Sequence, residues 1–241
     1  ALGAWILFGP SSAATWGGIG AVIGYSLGTA FPLFILIYLG EKFRKSYPKG
    51  KTIIEIVRLR FGSNLYKLIL IFSIFYMTIF LIAEVTAVAF LIKYISGTEL
   101  WITAFIVIAC SLIYTLYGGL RASLITDNIQ FFVFVALLII CFLSITSMEA
   151  NNYSFEIIKK SKPNLLSASY IPNYTAGLTF FIAVAATNLF HQGNWQRVYA
   201  AKNYQTLKSG LLIAFFIIVP IVFLMGFIGM VSFSMDPSVR P

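Results

Sequence analysis

The sequence predicts an all-α integral membrane protein, and three observations carry that prediction. Hydrophobic residues make up 59% of the 241 and charged residues only 10%. A soluble domain carries about 25% charged residues, so this chain cannot cover a water-facing surface. Seven stretches are mainly apolar, at about 1–18, 20–40, 65–95, 101–117, 121–148, 174–196 and 208–233. Their lengths approach or exceed the ~20 residues a helix needs to cross hydrocarbon. The third observation is where the charge sits. The formal net charge is +9, but Lys42, Arg44, Lys45, Lys49, Lys51, Arg58, Arg60 and Lys67 crowd one region between apolar stretches. That is the positive-inside pattern of a cytoplasmic loop. Anionic lipid headgroups satisfy it, and no nucleic-acid partner is expected.

The elements follow in order. The first stretch contains Gly9-Pro10-Ser11-Ser12. Proline has no N–H for the helix ladder and disfavours helix in the residue before it, so a break is expected there, freeing carbonyls between Leu2 and Phe8. In hydrocarbon such backbone is tolerated only where protein buries it or a cavity wets it. After the second stretch comes the basic loop 41–64. Within it, Thr52 to Arg60 sets Ile53, Ile56, Val57 and Arg60 on a helical period, a short helix lying on the membrane surface. The third stretch carries Glu84 mid-span. Buried acids in membranes are rare and usually functional, and this one is read as facing the helix bundle, toward substrate, a cation or a neighbouring helix.

Gly118-Gly119 makes a tight turn between the fourth and fifth stretches, with Arg121 at the turn. Asp127 lies roughly 9 Å further along the second helix. It reads either as a carboxylate on an ion path or as a structural partner of Arg121 or another cation. Desolvation would raise its proton affinity, which keeps protons open as an alternative coupling ion. The loop 149–173 is polar and mixed in sign, and SFEIIKKSKP within it is expected to form a turn or two of helix ended by Pro163. The sixth stretch packs Asn188, His191, Gln192 and Asn194 beside FFIAVAA. Cys110 and Cys141 lie inside apolar stretches and suggest no disulfide framework. Ala1 opens within an apolar run without a basic n-region, so the chain reads as a single transmembrane domain, 1–241, of a longer protein.

Placing 41–64 in the cytoplasm and 149–173 outside puts twelve of the 17 Lys and Arg inside: the eight above with Arg121, Arg197, Lys202 and Lys208. The weak point is Lys159, Lys160 and Lys162, which then lie outside. In this orientation the first and sixth stretches run in opposite directions, and both are interrupted. Two broken spans five apart are the sequence sign of an inverted-repeat transporter with its site at the midplane between them. Ordinary proline and glycine usage is the competing explanation, and no residue-level repeat joins the halves.

Three motifs carry a resemblance: YGGLRASLITDNIQ at 117–130, NWQRVYAAKN at 194–203 and GKTIIEIVRLRFG at 50–62. Together they resemble the signatures of the sodium:solute symporter family, whose members carry proline, sugars, urea, pantothenate and similar solutes. The resemblance implies a five-plus-five inverted-repeat fold in a plasma (inner) membrane, of which this chain supplies about core helices one to seven. It implies sodium as coupling ion, held partly by carbonyls of the first broken helix at Leu2, with Ala1 or Gly3 as the neighbouring candidates. The remaining ligands would come from an eighth core helix that this chain does not contain. It implies substrate contact at Asn188 and aromatic gating at Phe190 and His191, and Gln196-Arg197 would brace an inner gate. Trp5 and Phe8 would wall the same cavity, with plain packing as the competing role. The basic loop and IYTLYGGLRAS lean toward the urea branch, whereas FHQGNWQR departs from it.

For Asn188 the competing role is interhelical hydrogen bonding. For His191, the only histidine, a structural hydrogen bond competes with a proton relay. The expected function is sodium-coupled symport of a small polar organic solute across the lipid bilayer, with no cofactor and no enzymatic chemistry. The rivals are a membrane sensor domain fused to a signalling module, and a proton-coupled or passive facilitator.

Overall fold

The computed structural model describes residues 3–48, 50, 52–147, 158–160, 162–167 and 169–235. Its helices are α1 (Ala4–Ser46), α2 (Ile53–Phe61), α3 (Ser63–Ser96), α4 (Leu100–Ser147), α5 (Ile171–Phe190), α6 (Gln192–Ala200) and α7 (Tyr204–Met235), with a 3-10 turn at Pro163–Leu166. No strand occurs among the described residues. Four helices are long and apolar enough to cross a membrane: α1, α3, α4 over Leu100–Cys141 and α7 over Tyr204–Phe233. The chain is a multi-pass membrane protein.

Two of these helices carry a glycine kink. α1 holds 43 residues, about 65 Å if straight, which is twice the thickness of a bilayer core. Gly18, at φ 57° and ψ −155°, breaks it. The indole of Trp5 stacks on the ring of Tyr25 at 6.2 Å between centroids, whereas a straight helix would hold these residues about 30 Å apart. α1 is therefore a hairpin, and its arms are the first two expected stretches. Gly119 adopts the same conformation inside the 48-residue α4, at φ 52° and ψ −143°. Positive φ at ψ near −150° is open to glycine and almost nothing else.

The break expected at Gly9-Pro10 is absent. Both residues are helical within α1, whose N-cap is Gly3, in extended geometry. Proline leaves a carbonyl one turn back without its N–H, and membrane helices accept this when side chains serve the neighbouring carbonyls. Ser11 does so, its hydroxyl lying 2.7 Å from the Leu7 carbonyl and 2.9 Å from the Met225 carbonyl of α7. The sixth stretch does break, at His191, between α5 and α6. Thr52 caps α2 by accepting from the Glu55 N–H at 3.3 Å, the first half of a capping box. Of the helical turn expected at 154–163, residues 158–160 are helical, the 3-10 turn begins at Pro163, and 151–157 lie outside the described residues, as do Ala1 and Leu2.

Within lipid, association depends on close packing rather than on expulsion of water. Gly20, Gly24 and Gly28 recur every fourth residue along the second arm of α1 and press against α5. A Cβ at Gly20 would overlap the Asn173 carbonyl, and one at Gly24 the carbonyl of Gly177. On the other side, Gly226 and Gly229 of α7 lie against Val22 and Ser11. Ala14, Val22, Met230 and Val231 form a fully buried cluster there. Asn173, at the start of α5, donates its amide to the carbonyls of Asn164 at 3.1 Å and Ser167 at 3.0 Å, tying the 3-10 turn down beside Gly18.

At the opposite end, Arg44 donates to the Ala201 carbonyl at 2.7 Å. The first basic loop and the segment carrying Arg197 and Lys202 thus share one face, as the charge pattern requires. Tyr199 lies in this contact, and burial, with Glu55 adding to it, pushes its phenol up.

Because Gly24 meets a backbone carbonyl that has nowhere to retreat, Gly24→Leu is expected to destabilise the protein by about 1–3 kcal/mol or more. Thermal unfolding in detergent is the measurement. Gly210→Ala, where a Cβ meets open space, is the matched control and is expected to leave the transition unchanged or raise it slightly, since alanine is the better helix former.

Candidate functional site

A helix starts with N–H groups that have no intrahelical partner, and in α1 a side chain from another helix accepts from two of them. The Glu84 carboxylate accepts from the Ala4 N–H at 2.6 Å and the Trp5 N–H at 3.1 Å. Negative charge at a helix N-terminus is stabilising, by up to ~2 kcal/mol in partly buried geometry. The carboxylate lies close over Gly3, where a Cβ would stand 2.6 Å from one of its oxygens and the Glu84 side chain would have to shift. Glu84 is therefore bundle-facing and bonds a neighbouring helix. Tyr76, Phe80 and Glu84 are spaced four apart, so they share one face of α3.

The α5–α6 break is satisfied differently. Helix α5 ends at Phe190, leaving its last carbonyls without N–H partners. Side chains from α6 supply them. Asn194 donates to the Asn188 carbonyl at 2.8 Å, the buried Trp195 indole to Leu189 at 2.7 Å and Gln192 to Phe190 at 3.3 Å. His191 caps α6, its Nδ1 accepting from the Gly193 N–H at 3.2 Å. That bond needs the Nδ1 lone pair, so the cap exists only with the ring neutral.

Between these two devices lies a cavity of about 320 Å³. Of the expected site residues, Gly3, Trp5, Glu84, Asn188 and His191 line it. Asn188 gives one of its two amide N–H groups to the Val184 carbonyl at 3.0 Å, which leaves the other N–H and the amide oxygen to offer. The Gly3 carbonyl accepts from the Ile6 N–H at 3.1 Å. Leu2, the expected sodium ligand, lies outside the described residues. Phe190 sits behind the wall, edge-on to Tyr76 at 5.5 Å. Phe8 is 42% exposed and does not line the cavity, because α1 continues helically past it instead of unwinding.

Asp127 is joined to Arg197 at 2.7 Å. The partner across helices is thus Arg197 of α6, seventy residues away, and its pair is mostly shielded from solvent. Arg197 also lines the cavity, together with Trp5, Asn188 and Asn194. The same four residues line a second cavity of about 380 Å³ that extends between α1 and α7. No cluster of three metal-ligating side chains occurs among the described residues.

Sequence reading missed Tyr25, Tyr76, Phe80 and Arg197 as cavity residues. The four-residue spacing from Tyr76 to Glu84 is visible in the sequence. Tyr25 is invisible until the hairpin at Gly18 brings it back over Trp5.

The comparisons with known proteins point to one family. The chain is 28% identical over 232 residues to a spermidine transporter of Candida albicans, covering 96% of this chain and 44% of that protein. It is 28% identical over 244 residues to a sodium/glucose cotransporter of Vibrio parahaemolyticus, covering 89% and 44%. A probable urea active transporter of Schizosaccharomyces pombe is 23% identical, covering 81% and 32%. The chain thus spans less than half the length of these relatives. No solved structure gives a significant match. The profile of the sodium:solute symporter family matches residues 1–239, and the chain belongs to that family.

Proposed function

We propose that this chain is the solute-binding part of a sodium-coupled symporter that moves a small polar organic solute across a plasma membrane by alternating access. One observation carries the reading: the start of α1 and the α5–α6 break meet at a single cavity. Helix ends inside a membrane bundle place backbone dipoles and polar side chains where a solute or ion can reach them, which continuous helices do not. Asn188, His191 and the Gly3 backbone supply the polar contacts, and Trp5 supplies an apolar wall. Sodium would be held by carbonyls just before α1, at Leu2 and Gly3, with its remaining ligands from a later helix.

The relatives carry different solutes by name, so they support transport as a class without selecting a substrate. Coupling is reciprocal: sodium tightens solute binding by the same free energy by which the solute tightens sodium binding, typically ~1–3 kcal/mol. In vesicles holding the full-length protein, uptake of labelled urea, proline or pantothenate is measured with and without an inward sodium gradient. Gradient-driven accumulation of at least one solute is expected. Flux that ignores both the sodium and the proton gradient would instead establish a passive facilitator.

Asp127 is assigned to the ion path, with Arg197 as its resting counter-ion. Asp127→Asn is expected to lower sodium-dependent uptake on the order of tenfold, equivalent to ~1.4 kcal/mol, while leaving protein abundance nearly unchanged. The exchanged pair Asp127→Arg with Arg197→Asp separates the roles. If the pair only braces two helices, the exchange restores uptake. If the carboxylate serves the ion, abundance recovers and sodium dependence does not.

A further inference from the structure

From the walls of the α1–α3 cavity we infer that its solute is an organic cation, an ammonium-bearing molecule held by Glu84 and enclosed by aromatic faces. The inference rests on reading this cavity as the solute site.

The charges come first. The ionisable groups lining the cavity are Glu84, Arg197, His191, Tyr25 and Tyr76. Arg197 is neutralised by Asp127 at 2.7 Å. His191 is held neutral by its cap on Gly193. The tyrosines are uncharged phenols at neutral pH. Glu84 therefore sets the sign of the cavity. Among the described residues its carboxylate accepts from two backbone N–H groups, and a helix N-terminus is equivalent to only about half a positive charge. A carboxylate has roughly four lone-pair sites, so acceptor capacity remains after two bonds are made. An anion would be repelled here, and a neutral solute would leave the residual charge uncompensated at low dielectric. A cation compensates it.

The walls give the second, independent argument. Trp5 and Tyr25 stack on the α1 side. Tyr76 and Phe80 stand 6.1 Å apart on the α3 side, and both lie nearly perpendicular to the His191 ring, at 6.4 and 5.6 Å. Trp, Tyr and Phe faces attract ammonium groups, by about 2 kcal/mol or more once desolvated. A neutral polyol or urea gains nothing comparable from a ring face; it needs convergent amides and hydroxyls. The cavity provides Asn188, Asn194, Thr187 and the Tyr25 and Tyr76 hydroxyls; one N–H of each asparagine and the Thr187 and Tyr76 hydroxyls already donate to backbone carbonyls, which leaves few donors free to converge on a neutral solute. At about 320 Å³ it is matched to a small organic molecule and is larger than a bare metal ion requires.

The test uses full-length protein purified in detergent, with choline and spermidine as cationic probes and myo-inositol and urea as neutral ones. Calorimetric titration is expected to show at least one amine binding tenfold or more tightly than either neutral solute. Phe80→Leu, which leaves the helix cap untouched, is expected to weaken amine binding about tenfold. Glu84→Gln is expected to remove the preference for amines. Added sodium is expected to tighten amine binding. Competition between sodium and the amine would make this the ion's own site and would overturn the inference. So would neutral solutes binding as well as the amines, or amine binding indifferent to Phe80→Leu. Amine binding without gradient-driven uptake would leave the inference standing and count against symport, so the two readings fail separately.

Discussion

Backbone groups that end a helix inside hydrocarbon have no water to turn to, and this fold is organised around giving each of them a partner. Each unsatisfied group costs several kcal/mol in lipid. Glu84 accepts from the first N–H groups of α1, and three side chains of α6 cover the last carbonyls of α5. Neither solution is local. Glu84 lies eighty residues from Ala4, so α1 is properly capped only when α3 is packed beside it. Capping and tertiary packing are one event, and the cavity is the space left where the capped ends meet.

The glycine rows set how close the helices come, and the cavity inherits its dimensions from them. With Gly20 and Gly24 pressed on α5 backbone, the distance between α1 and α5 is fixed by main-chain atoms and not by flexible side chains. Main-chain contact is stiff, which suits helices that are to move as a unit. α3 differs: its buried residues among the described ones are only Ser73, Val85 and Ala89. It bonds α1 through the Glu84 cap and meets Phe190 and His191 at the α5–α6 break through Tyr76 and Phe80, so α1 with α5 and α7 forms the tight body and α3 the looser wall.

Much of this was legible from residue types alone. Apolar length located the spans, the glycine pair at 118–119 located a kink, and polar residues packed into 187–194 located the broken helix. Glu84, Asn188 and His191 stood out because polar groups in apolar runs are costly. Gly9-Pro10 misled for a physical reason: proline reports a missing donor, but not whether a serine one residue later serves the carbonyls around it. The Gly20–Gly24–Gly28 spacing was present in the sequence, yet glycine alone does not say whether it is there for freedom or for closeness. Arg197 as partner of Asp127, and Tyr25 as partner of Trp5, depend on how hairpins fold back, which no local pattern records.

The polarity of the helix ends explains why a solute would bind by exchange rather than by filling vacancies. Donors at the start of α1 and acceptors at the end of α5 face one cavity, and both sets already have protein partners. An empty site then leaves only the residual charge of Glu84 for water to meet, with no bare helix-end dipoles beside it. A bound cation would draw on the carboxylate that caps α1 and weaken its hold on Ala4 and Trp5, because lone-pair density offered to one partner is less available to another. On the proposed reading, the link between α3 and α1 is the same group that would meet the ligand. A ligand that interacts differently with the capped and uncapped arrangements shifts the balance between them by that difference. No relay of contacts through the bundle would be needed, since such a ligand would act on the contact that holds the looser wall to the tight body.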